Sequence, residues 1–335
     1  MDATATQHLF FQHLKSLLPP HKALVDEVAD LLNISNDSAY RRIRGEKPLG
    51  LDELHRLAAH FQVSLDQLLN LSSDALLFTG RPQPYASSTL EGWLANLERQ
   101  LELMNSFSPR HVYFLNKDIP LFYHFQIPEL AEFKLFFWMK SILRTDELKS
   151  TKFRFGDVYD APRRAACQRI ATLYAQLPTT EIWNVETLNS ALRQIDFYRE
   201  AGFFATPGDA HVLYRKVNEL IDNIEFQAEA GVKCVLQQPT AEPSAYRLFV
   251  NEFILGDNTF LAELAGRRLT YLNHGVLYFV GTRDEGFNDF MFAHLQNLLQ
   301  KSTLISGVGE KERSRFFNAL RAEVAQRLSG AGAVG

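Results

Sequence analysis

In "ALVDEVADLL", Leu24, Val25, Val28, Leu31 and Leu32 fall on one face at helical spacing, with acidic residues between them. Similar patterns on either side predict five short helices over residues 7–71. The first, "QHLFFQHLKSLL", stops at Pro19-Pro20, which cannot continue a helix. After the second, "NIS" interrupts the pattern, and Ser35 is placed to cap a third helix from Asn36 to Arg44. Gly45 ends that helix as a left-handed residue would. "LDELHRLAAHF" is a fourth helix, and Ser64-Leu65-Asp66-Gln67 forms a capping box that opens a fifth through Leu71.

Beyond Ser72 the rhythm breaks: "SSDALLFTGRPQPYASST" is rich in Ser, Pro and Gly and reads as a linker. "LEGWLANLERQLELM" then sets Leu90, Trp93, Leu94, Leu97, Leu101 and Met104 near one face, a helix that needs a partner. The next long patterns are helical apart from one strand in "HVYFLNKDI". After "QQPTAEP", "AYRLFVNEFILG" and "RRLTYLNHGVLYFVGT" have strand character, and two further helices, "GFNDFMFAHLQNLLQKS" and "EKERSRFFNALRAEVAQRL", flank the turn "SGVG". The expected fold is mainly α: a five-helix domain over 1–72, a linker over 73–89, a mainly helical middle or dimerisation region over 90–240, and an α/β C-terminal domain over 241–330.

Composition narrows the function classes. Hydrophobic residues at 46 % and charged residues at 22 % are ordinary for a globular protein, while 26 phenylalanines call for a large aromatic core. Cys167 and Cys234 stand alone, without metal-ligand spacing. No signal-peptide layout opens the chain, and the densest apolar run, "FKLFFWMKSIL", is too short to span a bilayer. A cytoplasmic protein with no membrane partner is expected. Lys and Arg number 35 against 39 Asp and Glu, so contact with nucleic acid must come from a local patch.

"NISNDSAYRRIRGEKPLG" supplies such a patch: Arg41, Arg42 and Arg44 within four positions, then Lys47. A helix, a three-residue turn and a second, capped, arginine-rich helix are the layout of a helix-turn-helix. Small Ala29 suits the approach of the two helices, Ile34 plugs the turn, and Ala39 and Ile43 face inward. Asn36, Ser38, Tyr40 and Arg41 then lie where side chains meet base edges, since Arg bonds guanine and Asn bonds adenine through two atoms each. Ser35, Arg42, Arg44 and Lys47 suit the flanking phosphates.

"VADLLNIS…AYRRIRGEKPLGLDELHRLAAHFQVSLDQLL" resembles the phage-repressor/Cro-like helix-turn-helix family, and "SNDSAYRRIRGEKPL" within it is most similar to the BetR-type N-terminal domain of bacterial regulators. The resemblance covers about residues 7–71 and implies a five-helix, DNA-binding domain. One position departs: Arg42 stands where the family commonly has an apolar residue and Ile43 is apolar instead, which leaves open which of Tyr40, Arg41 and Arg42 reads bases. Residues 1–72 hold 7 Lys and Arg against 9 Asp and Glu, a balance that calls for binding as a homodimer to an inverted repeat in double-stranded DNA.

"YFLNKDIPLFYHFQIPELAEFKLFFW", "TTEIWNVETLNSALRQIDFYREAG" and "STLISGVGEKERSRFF" resemble the C-terminal portion of Bacteroidetes-type regulators, and the segment from Tyr246 is faintly similar to phospholipase-D-like sensor domains. The HxKxxxxD signature of those hydrolases is missing, as are GxSxG, GxGxxG, the P-loop and HExxH, so neither an enzyme nor a cofactor is expected. In "ISGVGEKER", Ser306, Gly307, Gly309 and Arg313 form a glycine turn that feeds a helix N-terminus. This is either an anion site for an effector or a simple capped turn. A protein-interaction or antitoxin-like factor and a degenerate fused hydrolase are the competing readings.

Overall fold

The computed structural model describes residues 3–18, 22–61, 63, 65–68, 76–80, 89–236, 238–239, 243–252, 256, 258–275 and 277–331. Pro19-Pro20, Ser64, Leu71 and most of the expected linker lie outside them. Helix dominates, at 59 % of the chain, so the mainly-α expectation holds. The chain divides into two compact units, Met1–Leu77 and Phe78–Gly335.

The first unit contains α1 (Ala3–Leu17), α2 (Leu24–Leu32), α3 (Asn36–Ile43), α4 (Leu51–Phe61) and α5 (Leu65–Leu68). Phe10, Phe11 and Leu14 of α1 pack with Val25, Val28, Ala29 and Leu32 of α2, Ala39 of α3 and Leu57 of α4. Of the positions that helical spacing marked on α2, Val25, Val28 and Leu32 are buried here, while Leu24 and Leu31 are partly buried against the same core. Each large side chain buried there contributes about 1.5–3 kcal/mol, which holds helices too short to be stable alone.

The second unit opens with residues 78–80, which the sequence reading gave to the linker. Thr79 pairs antiparallel with Gly281, and Phe78 meets the ring of Phe287 at 5.5 Å. Then come α6 (Leu90–Asn105), β1 (Arg110–Leu115), α7 (Leu121–His124), α8 (Pro128–Phe137), α9 (Ala161–Ala175), β2 (Thr179–Trp183), α10 (Asn189–Glu200) and α11 (Gly208–Ala230). They are followed by β3 (Cys234–Val235), β4 (Gln238–Pro239), β5 (Tyr246–Val250), β6 (Thr259–Leu264), β7 (Arg267–His274), β8 (Tyr278–Thr282), α12 (Glu285–Gln300), β9 (Thr303–Leu304) and α13 (Glu310–Ala331).

Seven strands form one sheet in the order β8-β7-β6-β1-β2-β5-β9. β1, β2 and β5 are parallel, in register Val112↔Thr179 and Thr179↔Tyr246, and the other neighbours are antiparallel. The expected boundary at 240 is therefore not a domain boundary: β1 and β2, from the middle region, lie at the centre of the sheet that the later strands complete. Side chains alternate between its faces. Leu115, Ile182, Phe249 and Leu261 pack against Phe292 and Leu295 of α12, while Val112, Trp183 and Leu248 join the large helical core. Phe133, Phe136, Phe153, Tyr198 and Phe204 meet edge-on or stacked within that core, where many of the phenylalanines go. The apolar face of α6 is covered within the chain, with Leu90, Leu94, Leu101 and Met104 buried and Glu91 and Glu98 paired to Arg163 and Arg169 of α9. The partner that this helix was expected to need is α9 of the same chain. No helix among the described residues is long and apolar enough to cross a membrane.

Candidate nucleic-acid interface

The α2–turn–α3 segment is set by backbone chemistry at both ends. Asn33 ends α2 in the left-handed region at φ 55, a conformation asparagine tolerates, and the Ile34 amide donates to the Ala29 carbonyl at 3.0 Å. Ile34 closes over the core, as expected of the plug of the turn. Ser35 caps α3 by accepting the Ser38 amide at 3.3 Å, and its hydroxyl donates to the Ser38 hydroxyl at 3.1 Å. At the other end the Gly45 amide donates to the Arg42 carbonyl at 3.0 Å and the Glu46 amide to the Arg41 carbonyl at 2.8 Å. With Gly45 at φ +73, this is a Schellman closure. Any Cβ at Gly45 would also stand 2.7 Å from Thr4 Cγ2 on α1.

Six of the expected contact residues, Ser35 and Asn36 among them, stay at the surface of α3 and its flanks. The side chains of Arg41 and Arg44 are 57 % and 67 % exposed, Tyr40 and Lys47 are exposed, and the Arg44 guanidinium lies 5.6 Å from the Tyr40 ring centroid. Asn36 is exposed too, and its amide nitrogen donates to Asp26 on α2 at 3.0 Å, which leaves the carbonyl oxygen and one N–H facing outward. Ser38 is half-buried and turned toward Ser35, so its hydroxyl serves the helix start. Glu46 stands 3.8 Å from Arg41 and 3.9 Å from Arg44 and dilutes both charges.

Arg42 is a correction. Expected at the phosphates, its side chain is 5 % exposed and turned inward. Its Nε and Nη2 donate to Glu53 at 2.9 and 2.6 Å, and Nη1 donates to the Ser38 carbonyl at 3.0 Å. Glu53 holds its other contact to the Gly50 amide at 3.1 Å. The hydrogen bonds from Arg42 hold the Glu53 carboxyl below its ordinary range, and those to Glu53 raise Arg42. This forked pair ties α3 to α4 and leaves Tyr40 and Arg41, of the three alternatives, on the outer face.

Of the two readings of the "SGVG" turn, the hydrogen bonds fit the capped turn. Ser306 and Arg313 are buried. The Leu248 amide donates to Ser306 Oγ at 3.0 Å and the Gly307 amide to the Ala228 carbonyl at 2.8 Å. Arg313 Nη1 donates to the carbonyls of Ile305 and Val308 at 3.0 and 3.2 Å. Gly309, at φ +72, leaves no room for a Cβ beside the Leu304 carbonyl. The donors that were to hold an anion close the turn onto β5 and α11 instead.

Sequence reasoning missed a polar cluster on β2. Glu181 is fully buried, on the same face as Thr179 and Trp183. Its carboxylate accepts Tyr123 at 2.9 Å, Tyr174 at 2.6 Å, Thr179 at 3.3 Å, Lys233 at 3.2 Å and the Trp183 indole N–H at 2.9 Å. Lys233 also lies 3.2 Å from the centre of the Tyr174 ring, and burial pulls its pKa down to about 7 despite Glu181. An acidic residue inside the strand-like "TTEIW" was its one sequence signal. Among the described residues no group of three or more His, Cys, Asp or Glu is placed to hold a metal. His111 meets Thr180 Oγ1 at 2.9 Å, while His124 is buried with burial holding it well below its usual value. No curated protein and no solved structure matches the chain. Residues 12–86 match the family model described as the BetR domain, which makes the N-terminal part of the chain a helix-turn-helix-type domain.

Proposed function

We propose that the chain is a sequence-specific regulator of transcription that binds an inverted repeat in double-stranded DNA as a homodimer in the cytoplasm, with its second unit serving assembly or the sensing of an effector. The observation that carries this reading is the outer arc of α3 within a BetR-type domain. Asn36, Tyr40 and Arg41 are exposed there, with Arg44 and Lys47 just beyond the helix. Asn36 and Arg41 offer the paired donors and acceptors that read adenine and guanine, and Arg44 and Lys47 supply charge for phosphates. The reading assigns no catalytic activity and no cofactor. Footprinting of the protein across its host chromosome tests it: protected sites should share one inverted repeat and cluster at promoters.

A protein-interaction role is the second reading, and one observation favours it. With Arg42 committed to Glu53, fewer cations face outward from a segment whose charge is already net negative. Under that reading no chromosomal site is protected and the exposed face of α3 binds a protein instead.

A further inference from the structure

Gln7, on α1, lies N-terminal to the residues that match the BetR domain, yet it reaches the loop after α3. Its Nε2 donates to the carbonyls of Arg42 at 2.6 Å and Lys47 at 2.9 Å, and its Oε1 accepts the Leu49 amide at 3.0 Å. One half-buried side chain thus binds three main-chain groups across residues 42–49, the loop that carries Arg44 and Lys47. Phe10 and Phe11, three and four positions further along α1, are 2 % exposed in the core and fix the turn of helix from which Gln7 projects. Gly45 meets α1 at the centre of the same loop, where a Cβ would stand 2.7 Å from Thr4 Cγ2 and 3.2 Å from His8 Nε2.

We propose that Gln7 is a positioning residue for phosphate binding: α1 clamps the 42–49 loop so that Arg44 and Lys47 are pre-set against the DNA backbone, while base reading by α3 is left to other contacts. The inference rests on the DNA-binding reading above. A loop with three of its main-chain groups tied to an anchored helix loses less conformational freedom on binding than a free one, and that difference appears as affinity. Because the clamp acts through the two cations, its effect disappears when they are absent.

The test measures binding of the full chain to a random-sequence duplex pool over a range of salt concentrations, in a double-mutant design. Gln7→Ala should weaken binding several-fold and flatten the plot of log K against log salt by about one unit. The same change in an Arg44→Ala/Lys47→Ala background should cost nothing further, and the sequences selected from the pool should keep the wild-type base preferences. Circular dichroism checks the fold. Should Gln7→Ala lose helix, Gln7→Met replaces it, being close in size, uncharged and unable to hydrogen-bond the three main-chain groups. Equal losses in both backgrounds, or a changed base preference at an unchanged salt slope, would overturn the clamp. Failure of the underlying reading is distinct: the wild-type and Arg44→Ala/Lys47→Ala proteins would then bind the pool equally, whatever stands at position 7.

Discussion

Arg42 and Arg44 are two residues apart and carry the same charge, yet one is buried against Glu53 and the other is exposed. Removing Glu53 leaves a buried guanidinium without its partner, so Glu53→Ala should destabilise the first unit by about 3 kcal/mol, measured by urea denaturation with a helix signal. Glu53 is held below its usual value of 4.5, so the stability it contributes is present above that value and is lost as pH falls through the lower folded value. Acid unfolding of the first unit should therefore begin below about pH 4.5 and lose this component in Glu53→Gln. Arg44→Ala should leave stability within about 0.5 kcal/mol and reduce the salt slope of DNA binding. In the second unit the sign is the same, but the window lies at higher pH. Lys233 is held near 7 and Lys134 near 8 by burial, against 10.5 when exposed. The unfolded chain therefore binds more protons between about pH 7 and 10, and these groups make stability rise with pH across that window. Denaturation at pH 7 and pH 9 should show the rise, and Lys233→Met should remove much of it. A wild-type protein with flat stability over that range would contradict the buried placement of both amines.

The short helices of the first unit were legible because local chemistry decides them: Ser35 as cap, Gly45 as stop, and apolar residues at helical spacing on α2 and α4. The long helices of the second unit were legible for the same reason, and Gly231 ends α11 in the left-handed region as its position after the pattern suggested. The sheet was less so. β2 is buried at every residue and has no alternation to betray it, because helices and strands cover both its faces. Pairing of β1 with β2 joins residues more than sixty positions apart, which no local pattern encodes. The inward turn of Arg42 was hidden likewise, since its partner Glu53 lies on the next helix. Where sequence alone allowed an anion site at Arg313, the structure places a turn lock. Arg313→Ala should then destabilise the second unit by about 1–3 kcal/mol in chemical denaturation, since the buried Ile305 carbonyl and the partly buried Val308 carbonyl lose their donor. Unchanged stability would reopen the site to a ligand.

At the scale of the molecule, the proposed homodimer would double the phosphate contacts of a first unit with few outward cations. The proposed homodimer would use a surface of the second unit other than the face of α6 packed against α9. A fragment of residues 1–77 should therefore bind DNA much more weakly than the full chain, as titration of both against one duplex will show, and Leu94→Ala should lower stability without changing the oligomeric state. The central claim, that the outer arc of α3 reads DNA sequence, is tested most directly by selecting binding sites for the full chain from random duplexes, in parallel for wild type and Arg41→Ala. The account predicts one inverted repeat for the wild type, with half-sites about 34–36 Å apart, and the loss of preference at a single base pair in each half-site for Arg41→Ala. Enrichment of no sequence by the wild type, or an identical repeat selected by both proteins, would contradict it.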